Sequence, residues 1–200
     1  MTLIKSISGI RGTIGGYANN NLTPIDVVKF SAAYGTWIKE QRSKSVYRVV
    51  IGRDARISGE MIQNLVINTL TAMGIDVINL NLSTTPTVEI AVQMEHADGG
   101  VIITASHNPK QWNALKLLDS NGEFLNSKHS KRVLDLAISE NLLFSEVDKL
   151  GNVTSNEAYF DIHIDSVLDL DFVNLDAIRS CNFKVVIDAV NSTGGIIIPL

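Results

Sequence analysis

An α/β fold is predicted for these 200 residues, in which helices sandwich a mixed, mostly parallel sheet and the start of a second, similar α/β domain follows. Helix and strand signals alternate along the chain, the arrangement that builds βαβ units. The run Gly100-Val101-Ile102-Ile103 is apolar without interruption, as expected of a strand buried on both faces. At 45% hydrophobic residues the chain has enough apolar sequence for a substantial core.

Thr23-Pro24-Ile25-Asp26 opens the first helix, with a capping threonine, a first-turn proline and an acidic N3 residue. Val27, Phe30, Ala33, Tyr34, Trp37 and Ile38 follow at helical spacing, which reads Trp37 as core and not as a ligand platform. Tyr47 to Ile51 reads as a strand, Ser58 to Met73 as a helix closed by Gly74, and Ile75 to Leu80 as the strand completing one βαβ unit. A helix over Thr87 to His96 leads into the Gly100 to Thr104 strand as a second unit. Ala114 to Leu118 is a further strand, Asp119-Ser120-Asn121-Gly122 a turn before Phe124, and Ser127 to Ser139 a helix. The first domain is expected to span residues 1–150. Residues 151–200 then read as a linker helix over Ser155 to Leu170, a buried strand over Phe183 to Asp188 and the opening of a second domain. One strand and the beginning of a helix are too little to close a sheet, so this portion is expected to be truncated.

The net charge of −4 and pI near 5.5 give no electrostatic reason to expect nucleic acid or an anionic membrane as partner, and an anionic ligand must be held by local charge. The single cysteine, Cys181, has no internal disulfide partner and no zinc-site spacing, so a cytoplasmic, soluble protein is expected. No basic segment followed by a long apolar run opens the sequence, and no apolar stretch is long enough to span a bilayer.

Thr104-Ala105-Ser106-His107-Asn108-Pro109 places a hydroxyl at the end of a buried strand, where open α/β sheets keep their chemistry. Pro109 stops the strand and holds Asn108 in a turn or extended conformation, so Ser106 is presented in a tight loop. Neighbouring residues of an extended segment point to opposite faces, so His107 is not expected to serve Ser106 as a base. With no Gly-x-Ser-x-Gly elbow, a hydrolase triad is disfavoured. Two readings of the loop stand on these residues alone: a serine that works as a phosphoryl carrier, and a turn in which Ser106 and Asn108 only bond to local backbone.

Four segments occur together in order: Ser8-Gly9-Ile10-Arg11-Gly12, Gly52-Arg53-Asp54-Ala55-Arg56, Thr104 to Pro109, and Asn113-Ala114-Leu115-Lys116. In them the chain resembles the α-D-phosphohexomutase superfamily along essentially its whole length. Members interconvert the 1- and 6-phosphates of glucose, mannose, glucosamine or N-acetylglucosamine through a phosphoserine, matched here by Ser106, and a hexose bisphosphate intermediate. The resemblance implies an intramolecular phosphotransferase of the isomerase class that binds Mg2+ and takes a hexose phosphate as substrate. It places Arg11 and Lys116 beside the phosphoserine, to stabilise transferring charge and help move the sugar hydroxyl's proton. General-base work by a lysine requires desolvation or neighbouring cations. His107 is expected to donate to the phosphoryl group, with orientation of the loop as its other role. Arg11, His107 and Lys116 are thus the expected substrate-binding residues.

Asn108 and Asn113 read as architectural, and Arg53, Asp54 and Arg56 as a salt-bridge network buttressing the loop or, more plainly, a solvated turn. Asp54, Asp119 and Asp188 are isolated carboxylates, so the metal ligand expected here is Ser106 alone, through its phosphate. The family's three-aspartate metal loop and distal substrate loops have no counterpart in these residues, and the piece is expected to fold without catalysing. Alternatives kept open are a phosphoserine-dependent phosphatase or phosphotransferase and a non-catalytic binding module. The family commonly has Asn-Gly-x-Lys where Ala114 stands here, and Ser192 stands where its second domain has glycine. If that first glycine adopts positive φ, the loop around Asn113 must differ.

Overall fold

The computed structural model describes residues 1–7 and 9–200; Ser8, the first residue of the Ser-Gly-Ile-Arg-Gly motif, lies outside the described residues. Seven strands form one mixed sheet: β1 (Ile4–Ser6), β2 (Gly9–Thr13), β3 (Tyr47–Arg53), β4 (Ile75–Leu82), β5 (Gly99–Ile103), β6 (Trp112–Leu118) and β7 (Val153–Ser155). Their order is β1-β2-β6-β5-β3-β4-β7. Pairs β5·β3, β3·β4 and β4·β7 are parallel, and β5·β6, β6·β2 and β2·β1 are antiparallel. The parallel half is the doubly covered core anticipated from the apolar runs.

Helices α1 (Pro24–Gln41), α2 (Gly59–Ala72) and α4 (Ser127–Ser139) cover one face, and α3 (Thr85–Met94) and α5 (Tyr159–Leu168) cover the other. The first layer buries Phe30, Tyr34, Trp37, Ile62, Leu70, Leu115 and Leu136 against the sheet, and the second buries Val88, Val92, Ile102, Leu118 and Tyr159. Apolar burial on two faces is the principal stabilising contribution to such a sandwich.

Local chemistry explains the helix limits. Thr23 and Asp26 form a reciprocal capping box at the start of α1, and Pro24 occupies the first turn, where its missing N–H costs nothing. Thr84 caps α3, whose first residue is therefore Thr85 and not Thr87. Asn126 caps α4 at the expected residue. Gly74 ends the α2 turn at φ +71°, and Gly122 holds φ +74° with no room for a Cβ beside the Glu89 carbonyl. Trp37 is core: its ring stacks on Tyr34, with centroids 5.7 Å apart, and meets His129 at 5.1 Å.

Two sequence expectations change. Residues 153–155 join the first sheet as its edge strand, and α5 packs on α3, so the chain past Leu150 begins by extending the same sandwich. Phe183 to Asp188 forms no strand, because an apolar run becomes one only when a neighbouring strand completes its ladder, and none lies beside it among the described residues. Val185 and Val186 are exposed there. The short helices α6 (Leu175–Ser180) and α7 (Gly194–Ile197) flank this segment.

His163 on α5 joins Thr87 on α3 through Nδ1 and Oγ1, 2.9 Å apart, and burial lowers its pKa from 6.5. The unfolded chain thus takes up this proton first, so the His163 contribution to stability is full above about pH 6.5 and is lost as pH falls through that value toward the folded pKa. Thermal denaturation between pH 7.5 and 5.5, on the order of one unit either side of the free imidazole, is expected to show a steeper fall in Tm for the wild type than for His163→Gln. Parallel slopes would remove this histidine from the pH response.

Candidate active site

The carboxyl ends of the parallel strands β3 and β5 lie side by side, with Arg53 opposite Ile103 in register. The turn after β3 (residues 54–58) and the loop after β5 (residues 104–111) therefore share one end of the sheet. β2 ends there too, with Thr13 opposite Trp112 and the Ile14 amide donating to the Gln111 carbonyl at 2.8 Å.

Ser106 is exposed and adopts φ +52°, a left-handed conformation uncommon for a residue with a Cβ. Such a residue persists only where its surroundings hold it. The holding atoms are identifiable. The Ser106 amide donates to Thr104 Oγ1 at 3.2 Å, and Thr104 Oγ1 donates to Asp54 Oδ2 at 2.6 Å. Arg56 Nη2 donates to the carbonyls of Ser106 (2.6 Å) and Asn108 (2.7 Å), and its Nη1 to those of Pro109 and Trp112 (both 3.0 Å). Asp54 in turn accepts the Arg56 amide at 3.0 Å and sits 3.3 Å from its Nε. The Asp54 and Arg56 side chains are only 15% and 12% exposed, so this ion pair is shielded from water and is not a solvated turn.

Arg53 donates from Nε to Gln63 Oε1 at 3.0 Å and from Nη1 to the Asp54 carbonyl at 3.2 Å. Asn108 folds back on the Ala105 carbonyl through Nδ2 at 2.8 Å. Asn113 is fully buried and donates to Ser58 Oγ at 2.9 Å, tying β6 to the start of α2.

The expectation that His107 faces away from Ser106 is corrected. Because Ser106 is left-handed and not extended, Ser106 Oγ and His107 Nδ1 come to 3.5 Å, the outer limit of a hydrogen bond. No carboxylate backs the imidazole among the described residues, so no triad results. Ala114 lies within β6, without positive φ.

Arg11, opposite Ala114 in register, and Lys116, two residues further along β6, share the sheet face covered by α3. Arg11 is exposed and makes no ion pair or side-chain hydrogen bond among the described residues. Lys116 is not brought to Ser106. Its Nζ lies 5.7 Å from the Phe124 ring centroid, beside Leu118 at the far end of β6, drawn by the ring's negative face. Burial raises the pKa of Glu89 on α3, and the Lys116 charge partly offsets this.

Among the described residues no cluster of three His, Cys, Asp or Glu could hold a metal ion. Asp119 accepts amides of its own turn, and Asp188 accepts the Val190 amide, both local capping roles. The donors near Ser106 therefore fit a metal only as one ligand, a phosphate oxygen on the serine. Sequence reasoning gave no role to Thr104, Ser58 or Gln63, because their partners lie about 50 or 10–16 residues away and no spacing rule connects them.

Replacing Arg56 by alanine leaves Asp54 without its cation and removes a donor from four carbonyls, of which Pro109 keeps the Trp112 amide, with an expected cost of about 3 kcal/mol in urea denaturation. Arg56→Lys should recover only part of this, since an ammonium cannot reproduce the planar fork. A loss below about 0.5 kcal/mol, the size of an ordinary surface change, would mean that the loop does not rely on Arg56.

Residues 3–142 match the family model for phosphoglucomutase/phosphomannomutase, alpha/beta/alpha domain I. A phosphoglucomutase/phosphomannomutase of Thermococcus kodakarensis is 36% identical over 191 residues, covering 94% of this chain and 41% of the relative. A phosphoglucosamine/phosphogalactosamine mutase of Sulfurisphaera tokodaii is 32% identical over 193 residues, covering 96% of this chain and 40% of the relative. The crystal structure of a phosphoglucomutase/phosphomannomutase family protein from Burkholderia thailandensis superposes with a TM-score of 0.69 at 19% identity, over 86% of this chain and 38% of that one. The chain spans about two fifths of the length of these relatives. With the family model matching most of its length, the chain belongs to the phosphoglucomutase/phosphomannomutase family and contains its α/β/α domain I.

Proposed function

We propose that this chain is the N-terminal part of a phosphohexomutase that moves phosphate between the 1- and 6-positions of a hexose phosphate, with Ser106 as the phosphoryl carrier. The observation that carries this reading is an exposed serine held at φ +52° by a guanidinium and a hydroxyl, with its own Oγ uncommitted apart from the long contact to His107. In each transfer the Oγ–P bond of phosphoserine breaks as a sugar oxygen bonds to phosphorus, and the sugar hydroxyl releases its proton. The bisphosphate formed then returns its other phosphoryl group to Ser106.

Phosphoserine carries about −1.5 to −2 charge at neutral pH, and the reading assigns Arg11, His107 and Lys116 to that charge. Arg11 is unpaired among the described residues, and His107 is already next to Oγ. Lys116 shares the face with Arg11, and its flexible stem lets Nζ leave the Phe124 ring to accept the hydroxyl proton or stabilise transferred charge. Arg53, Asp54, Arg56, Asn108 and Asn113 hold the loop without touching the reacting atoms. A Mg2+ ion would take one ligand from the Ser106 phosphate and supply neutralisation of transferring charge. The division near Leu150 into a first domain and the opening of a second, the hexose phosphate substrate and a cytoplasmic setting belong to the same proposal.

Incubation of the complete enzyme with glucose 1,6-bisphosphate, followed by peptide mapping, is expected to place phosphate on Ser106. Label on Ser8, Ser58 or Ser83 in its place would sink the assignment. Lys116→Met should lower turnover at least about 100-fold, the usual scale for losing a general base or a charge stabiliser, while Tm changes little. Near-normal turnover would return this lysine to a purely structural role on Phe124.

A further inference from the structure

A directed chain of hydrogen bonds leaves the reactive loop and ends at the segment entering α5. Arg53 Nε donates to Gln63 Oε1 (3.0 Å), Gln63 Nε2 to Asn79 Oδ1 (2.5 Å), Asn79 Nδ2 to Asn81 Oδ1 (3.0 Å), and Asn81 Nδ2 to Glu157 Oε1 (3.1 Å). A carboxamide can be turned end for end, but here both ends of the chain forbid it. Arg53 can only donate, and Glu157 as a carboxylate can only accept. In the middle, Asn79 Oδ1 also accepts the Asn81 amide at 2.9 Å, which fixes its orientation independently. All three carboxamide dipoles therefore point the same way between a cation and an anion, the arrangement in which successive hydrogen bonds polarise one another.

Every link but Asn79 to Asn81 crosses between elements. Arg53 closes β3, Gln63 is on α2 and 3% exposed, Asn79 and Asn81 are on β4, and Glu157 precedes α5. At the loop end, Arg53 continues through the Asp54 carbonyl, and the Asp54 carboxylate through Thr104 Oγ1 to the Ser106 amide. At the other end, the Asn156 amide donates to the Asn79 carbonyl at 3.1 Å, so the same strand receives the linker twice. Asn81 adopts φ +55°, which an Asn tolerates better than most residues and which turns its side chain into the chain of bonds. Gln63 is buried and Asn79 and Asn81 are half-buried, and each carboxamide both donates to and accepts from a neighbour in the chain of bonds.

We propose that Gln63, Asn79 and Asn81 are positioning residues for Ser106, acting through Arg53 and Asp54, and that they couple the reactive loop to the segment entering α5. The inference deepens the phosphoryl-carrier reading and rests on it for its functional meaning, while the coupling itself can be read without any activity.

The test is hydrogen–deuterium exchange on the complete enzyme, comparing wild type, Gln63→Met, Gln63→Glu and Glu157→Ala. Gln63→Met keeps the shape and removes both bonds, and exchange over residues 104–108 is expected to rise at least about fivefold while the α2 amides stay within about twofold, the separation between local opening and general loosening. Gln63→Glu keeps the acceptor for Arg53 but loses the donor to Asn79. It should raise exchange at residues 156–158, and raise it at residues 104–108 less than Gln63→Met does. Glu157 is exposed, so Glu157→Ala tests the chain even if a Gln63 variant fails to fold, with a smaller rise expected at both 156–158 and 104–108. Unchanged exchange at 104–108 in Gln63→Met or Glu157→Ala, or an equal rise throughout α2 and β4, overturns the coupling. Phosphorylation by glucose 1,6-bisphosphate is followed in parallel on the wild type. Its absence there would refute the carrier reading and leave the coupling result standing by itself.

Discussion

The shape of the reactive loop depends on one guanidinium. The chain turns back between β5 and β6, and the carbonyls of Ser106, Asn108, Pro109 and Trp112, the last being the first residue of β6, all accept from one side chain. Unpaired, each would cost on the order of 1–3 kcal/mol if kept from water. The two terminal nitrogens of Arg56 satisfy all four, and Asp54 keeps the fork from rotating. Left-handed Ser106 follows from this, because its own carbonyl is among the four and its amide is fixed separately on Thr104. A lysine has no planar fork, and a side chain without charge could not balance Asp54.

The sheet prepares the place for that clamp. β5 is the seam between its halves, parallel to β3 and antiparallel to β6. A parallel connection needs a crossover of a dozen residues or more, whereas an antiparallel one can return at once. The chain therefore leaves β5 at the carboxyl edge and re-enters the sheet as β6 within the span of a loop, directly beside the turn that follows β3. Arg56, fifty residues earlier than Ser106 in sequence, becomes its neighbour through this change of direction. Parallel pairing throughout would carry the chain away over a helix and leave the serine without its clamp.

Much of this was legible in the sequence where the signal is local. The capping box at Thr23, the Asn-Gly turn after β6 and the limits of α4 follow from side chains bonding backbone within a few residues. β1, β2 and β7 were not legible: β1 and β7 are three residues long and exposed, and β2 contains Gly9 and Gly12 and little periodicity, so they are strands only because a neighbour offers a ladder. Phe183 to Asp188 errs in the opposite sense, a strand-like pattern without that neighbour. Within the site, the serine at the strand end and the supporting arginines and aspartate were legible from motif and position. The Ser106 to His107 approach was not, since a left-handed residue reverses the alternation that extended chain implies. The Gln63 to Glu157 chain was invisible for the same reason as the Thr104 to Asp54 bond, its partners being brought together by the sheet and not by spacing.

In the proposed phosphoryl-carrier reading, a chain of net charge −4 must separate its charges locally. The one carboxylate close to Ser106, Asp54, is neutralised by Arg56 and spends its other oxygen contacts on the Thr104 hydroxyl and a backbone amide. Arg53 is occupied by neutral acceptors, Gln63 and a carbonyl, so its charge is undiminished by a neighbouring acid. Arg11 is unpaired among the described residues, and Lys116 rests on the Phe124 ring. The framework thus neutralises the Asp54 carboxylate internally. In the proposed phosphoryl-carrier reading, a phosphoryl group on Ser106 meets this local arrangement and not the sign of the whole chain.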